Sequence, residues 1–172
     1  LEVKTEKELL MGTRSVGSSS HESNGLQAIL WGGLLAGTLD ITAACINANL
    51  RAGMSPKSVF QFVASGWFGA ASFKGGYKTA AIGLASHYLI AFGATIVFYL
   101  ASRMLRVLVN HAIVCGLLYG VAVFAVTNFV VVPLSAIGHV FAFTRSGFIT
   151  NLLIIIFCIG LPIGLVVRRY SK

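Results

Sequence analysis

Long apolar runs alternate with short polar stretches along this chain. Residues 26–46, 80–101, 111–132 and 147–167 are almost wholly apolar; the first holds one formal charge, Asp40, and the others hold none. At 1.5 Å of rise per residue, a run of this length extends about 31 Å as an α-helix, which matches the hydrocarbon thickness of a bilayer. The pattern predicts four membrane-spanning helices. Pro133 lacks a backbone donor and is expected to end the third. Pro162 falls inside the fourth and predicts a kink there.

A fifth apolar segment, residues 59–73, is too short for a comfortable span. It carries Phe60, Phe62, Trp67, Phe68 and Phe73 between Lys57 and Lys74. Aromatic residues between lysines suit the headgroup zone, so the segment reads as an interfacial or re-entrant helix. Residues 136–143 form a shorter candidate counterpart after the third span. The polar residues 1–25 lack the apolar surface to fold alone and are expected to be a disordered tail. Met11 is a candidate start, which would make residues 1–10 an extension. No signal-peptide pattern precedes the first apolar run. The resulting organisation is a tail over 1–25 and a membrane domain over 26–172, an all-α four-helix bundle with one additional short helix.

Composition supports this class. Of the 172 residues, 56% are hydrophobic and 10% are charged. A soluble domain carries roughly 25% charged residues, because water must accept its surface. The net charge is +8, but the cations lie in the tails and between the apolar runs. They read as topology signals and contacts with anionic lipid heads, and nucleic acid is not an expected partner. With the N-terminus inside, eight Lys and Arg fall on the cytoplasmic side and five (Arg51, Lys57, Lys74, Lys78 and Arg145) on the other. The bias favours both termini in the cytoplasm. Cys45, Cys115 and Cys158 form no C-x-x-C pair and read as small buried hydrophobes.

Three G-x-x-x-G patterns lie in the spans: Gly33/Gly37, Gly116/Gly120 and Gly160/Gly164. Glycines four apart share a helix face and let backbones approach closely. They predict packing inside the bundle, or a homo-oligomer or partner interface. A faint internal repeat accompanies them, since the first and third spans are each followed by a P-x-S triplet, beginning at Pro56 and Pro133.

Intramembrane polarity is the sharper signal. Asp40 is the only carboxylate after Glu22. A charge in hydrocarbon costs several kcal/mol, so such a residue is expected to face a bundle interior or cavity. His87, Asn128 and Asn151 are placed by the run boundaries at a depth similar to that of Asp40, roughly 6–10 Å below the interface. The four residues suggest either a polar clamp or a small hydrated site for a proton, ion or small polar molecule. A coupled Asp–His pair can exchange a proton near neutral pH. No cofactor is predicted. Haem is disfavoured because His87, His111 and His139 do not share a depth, His21 lies in the tail, and quinone contact is a minor alternative. No metal site is expected. No Walker loop, G-x-S-x-G elbow or H-E-x-x-H is present, so an enzyme is disfavoured and no catalytic residue is assigned.

The stretches GGLLAGTLDITAACI (32–46), VASGWFGAASFKGG (63–76) and GLASHYLIAFGATIVFYLASR (83–103) resemble small, uncharacterised multi-pass proteins of the bacterial inner membrane. The resemblance spans roughly residues 26–168. It implies a location in the bacterial inner membrane and transfers no functional residue. Two functions are therefore expected to compete. One is a small carrier, channel or proton-linked component using Asp40 and His87. The other is a non-catalytic accessory or assembly subunit of a larger membrane complex, held by its glycine-rich faces.

Overall fold

The computed structural model describes the backbone of residues 2–138 and 144–171 and the side chains of residues 24–138 and 144–171. All regular structure among the described residues is helical. Helix α1 runs Glu2–Ala52, and its membrane-compatible part is Asn24–Ala52. The tail expected over 1–25 falls mostly where side chains lie outside the described residues. Helix α2 is Pro56–Phe68, followed by a 3₁₀ turn, Gly69–Lys74. Helix α3 is Gly76–Met104 and α4 is the single turn Val107–Asn110. Helix α5 is Ala112–Leu134 and α6 is Arg145–Tyr170. Of the short segment expected at 136–143, residues 139–143 lie outside the described residues.

Four helices, the apolar part of α1 with α3, α5 and α6, are long and apolar enough to cross a membrane. All are longer than the apolar runs, because helical hydrogen bonding does not stop where side-chain polarity begins. Helix α1 continues through Asn47, Asn49 and Arg51 until Gly53 takes φ +61°. There Gly53 N–H bonds to Asn49 O at 2.8 Å and Met54 N–H to Ala48 O at 3.3 Å, closing a left-handed C-terminal cap. Ser55 then caps α2 by accepting from Ser58 N–H, with Pro56 in the first turn where its missing donor costs nothing.

Both span prolines follow a widened turn. Val132 N–H bonds to Thr127 O, closing a π-turn over Thr127–Val131 just before Pro133. Leu161 N–H bonds to Ile156 O, closing a second over Ile156–Gly160 just before Pro162. A proline ring clashes with the carbonyl four residues back, and a widened turn relieves that clash. Helix α6 thus meets Pro162 with a π-turn, and α5 ends at Leu134, one residue beyond Pro133.

Helix α2 runs beside the first third of α3 and the chain returns through the 3₁₀ turn, forming a short hairpin. Gln61 Nε2 donates to Gly76 O at 2.9 Å, Phe60 and Ala64 face Gly83, and Trp67 Nε1 donates to Ser86 Oγ at 3.0 Å. The two helices therefore run in the same direction. Gly83 makes this possible: a Cβ there would overlap the Phe60 carbonyl oxygen.

Helix α6 is the hub. It packs against α1 and α5 along much of its length, and against α3 chiefly over Leu161–Tyr170. The core lies toward that end, with Phe98, Phe124, Ile159, Ile163 and Val167 buried together. Tyr119 O–H donates to Ala94 O at 2.7 Å and stacks edge-on against Phe98, tying α5 to α3. Toward the hairpin end, α3 and α6 part. Large apolar side chains such as Leu89, Leu118 and Val97 point outward, as lipid contact requires.

Candidate functional site

Asp40 and His87 meet where α1 crosses α3. Gly37 permits the crossing: a Cβ there would lie 2.9 Å from the Tyr88 ring and 3.2 Å from Ala91 Cβ. With that face bare, His87 Nε2 reaches the Gly37 carbonyl at 2.9 Å. A carbonyl only accepts, so Nε2 carries the proton and donates it. Asp40, one turn further along α1, places Oδ2 4.0 Å from the same nitrogen. That is an ion-pair distance, too long for a direct hydrogen bond. The imidazole N–H is thus held by a backbone oxygen with a carboxylate beside it.

The site is enclosed without being sealed. The His87 and Asp40 side chains retain 12% and 14% of their accessible surface. Cys158, within the second π-turn of α6, lies in electrostatic range of Asp40. On the lipid-facing side of the same crossing, Thr38 Oγ1 and Tyr88 O–H share a 2.9 Å hydrogen bond.

The asparagines do not join this pair. Asn128 is buried in the first π-turn and donates to Phe124 O of its own helix at 2.9 Å. Asn151 is half-buried on α6, with no bond to Asp40 or His87 among the described residues. The helix ends explain the split. Asp40 lies 12 residues before Ala52 and His87 11 residues after Gly76, about 16–18 Å from those ends. Asn128 and Asn151 lie six residues from theirs, about 9 Å. Apolar-run boundaries placed all four at one depth, but the helices overrun those boundaries unequally.

Arg51, read in the sequence only as a topology signal, forms a polar junction. Its guanidinium donates to Asn47 Oδ1 at 2.9 Å, Thr150 Oγ1 at 2.7 Å, Ser146 Oγ at 3.2 Å and Ser146 O at 3.3 Å. Asn47 and Arg51 follow Asp40 by seven and eleven residues, so all three share one face of α1. The i,i+4 spacing of Asn47 and Arg51 was visible in the sequence; the partner on α6 was not. Gln61 was missed as well. It is buried and donates to Gly76 O and, at 3.4 Å, to Phe73 O, which holds the hairpin closed.

The six patterned glycines all face other parts of the same chain. A Cβ on Gly116 would lie 2.8 Å from Gly160 O, one on Gly120 2.6 Å from Ile156 Cα, and one on Gly164 2.6 Å from Ala112 O. Gly160 would overlap Gly116 O. Two G-x-x-x-G faces are therefore pressed together, backbone to backbone, where α5 crosses α6. Gly33 is covered by the Phe92 ring and Gly37 by Tyr88.

Among the described residues, no group of three or more His, Cys, Asp or Glu could hold a metal ion. Comparison with known proteins finds no matching family model, no matching curated protein and no matching solved structure.

Proposed function

We propose that this chain is a proton-linked membrane carrier or channel component working through Asp40 and His87. The observation that carries this reading is the single imidazole N–H held by Gly37 O with Asp40 beside it, 4.0 Å away. A small movement of either side chain exchanges the backbone acceptor for the carboxylate. When Nδ1 takes a proton from water, the resulting imidazolium passes its Nε2 proton to the Asp40 carboxylate, leaving neutral Asp40 and a neutral imidazole that holds its proton on Nδ1. Both side chains retain some accessible surface, through which water is proposed to reach them. The membrane is proposed to be the bacterial inner membrane, with both termini in the cytoplasm.

The competing reading, an accessory or assembly subunit held by glycine-rich faces, would require another surface. Its six glycines are covered from within the chain.

Proton flux into proteoliposomes carrying a pH-sensitive dye tests the proposal. Under an imposed pH gradient, the wild type should acidify or alkalinise the lumen faster than protein-free vesicles. Asp40→Asn keeps the shape and much of the hydrogen bonding but removes the titratable group. It should fold with an unchanged melting temperature and lose the flux. Equal flux from wild type and Asp40→Asn would refute the role of Asp40.

A further inference from the structure

The short hairpin carries a second feature, independent of the proton reading. Lys57 opens α2, Lys74 closes the 3₁₀ turn, and Lys78 stands in the first turn of α3. Lys57 Nζ lies 4.7 Å above the Tyr77 ring, which joins the start of the hairpin to its return. The three hydrogen bonds from Gln61 Nε2, to Phe73 O, Gly76 O and Thr79 Oγ1, fix the backbone that bears Lys74 and Lys78. The lysines thus gather at one rim. Asp40 is the only carboxylate among the residues whose side chains are described, and it lies about 16–18 Å further into the bundle. The rim therefore has no protein counter-ion among them.

The tip of the hairpin is the reverse in character. Trp67 is 64% exposed and Phe68 47% exposed. Trp67 is fixed in place by its bond to Ser86, ten residues down α3 from Gly76. At 1.5 Å per residue that is about 15 Å along α3 from the rim, and beside the tip Ala136 N–H, just past the end of α5, donates to Gly66 O at 2.9 Å.

We infer that the hairpin binds an anionic phospholipid, its phosphate at Lys57, Lys74 and Lys78 and its acyl chains along Trp67 and Phe68. A rim of ammonium groups alone would also attract free phosphate. The exposed aromatic tip adds apolar contact that only the lipid's acyl chains can use.

The test uses full-length protein with Trp31→Phe, leaving Trp67 as the only tryptophan, in bilayers doped with lipid brominated on its acyl chains. Brominated phosphatidylglycerol should quench Trp67 more strongly than brominated phosphatidylcholine at equal mole fraction. High salt should reduce the difference, because the charges are solvent-accessible. Replacing each lysine by Gln should weaken the preference about fivefold, and all three by Arg should retain it. Inorganic phosphate should not displace the lipid. Equal quenching by the two lipids would overturn the inference on the lysine-intact protein, whatever the lysine variants do. So would an undiminished preference in the triple Gln variant, or displacement by inorganic phosphate, which would indicate a phosphate site without lipid selection.

Discussion

Replacing Gly160 by alanine is the most direct probe of what holds this bundle together. The new Cβ would overlap Gly116 O and lie 2.6 Å from both Cα and N of Gly120. Every atom it meets is backbone, so no rotamer change relieves the contact. Reaching the lower edge of ordinary contact, 3.4 Å, requires α5 and α6 to part by roughly 0.8 Å at Gly120 and by more at Gly116 O. A radial gap of that size forfeits a quarter to a half of the attraction between the atoms that had been touching. Overpacking of this kind costs about 1–3 kcal/mol, and the unyielding partners favour the upper end. Alanine returns up to about 1 kcal/mol through its higher helix propensity. The expected net loss is therefore about 2 kcal/mol. Gly93→Ala is the matched control, because its Cβ would meet nothing within 4 Å. It keeps only the propensity gain, so it should be stabilising by up to about 1 kcal/mol. SDS titration in mixed micelles, followed by helical circular dichroism, measures both variants against the wild type. If Gly160→Ala is as stable as the wild type, or if the two variants shift in the same direction, the α5–α6 crossing is not the close backbone contact described here.

Gly83→Ala should loosen α2 from α3, because its Cβ would overlap Phe60 O and lie 3.0 Å from Ala64 N. With Trp31 replaced by Phe, altered Trp67 emission should report the shift, and an unchanged spectrum would argue against the crossing. In a chain whose native cysteines are changed to Ser, cysteine placed at Met104 or Tyr77, 86% and 80% exposed, should label from opposite sides. Labelling of both from outside would defeat the proposed topology.

The four spans were legible because apolar run length and bilayer thickness are the same physical constraint seen twice. The short helix after the first span was legible as well, since residues 59–73 are too short to cross; its packing against α3 through Gly83 was not. Depth was less legible. Polar residues such as Asn47 and Arg51 extend α1 past its apolar run, moving Asp40 about 9 Å further from the helix end than the run alone implied. Long-range partners were not legible at all. Nothing in the sequence around Arg51 points to Ser146 or Thr150, because that pairing depends on which helices become neighbours. Glycine spacing identified close-packing faces without identifying their partners: Gly116 and Gly120 meet another glycine face, whereas Gly33 and Gly37 meet aromatic rings.

Packing and chemistry converge at Gly37. Its bare face brings α3 close enough for His87 to reach the Gly37 carbonyl at 2.9 Å, and the same approach sets the 4.0 Å separation from Asp40. A methyl group at this position would lie 2.9 Å from the Tyr88 ring and 3.2 Å from Ala91 Cβ. Tyr88 can swing, but the Ala91 methyl is fixed to its helix, so α3 must move outward and carry His87 with it. At Gly33, one turn away, the nearest atoms all belong to the side chain of Phe92. A ring can rotate aside there without moving the helix. Gly33→Ala should therefore perturb stability and preserve proton flux. Gly37→Ala should reduce flux in protein that still folds, although neither titratable group has been changed. If Gly37→Ala folds and carries protons as well as Gly33→Ala, the hydrogen bond from His87 to the backbone is incidental to the site.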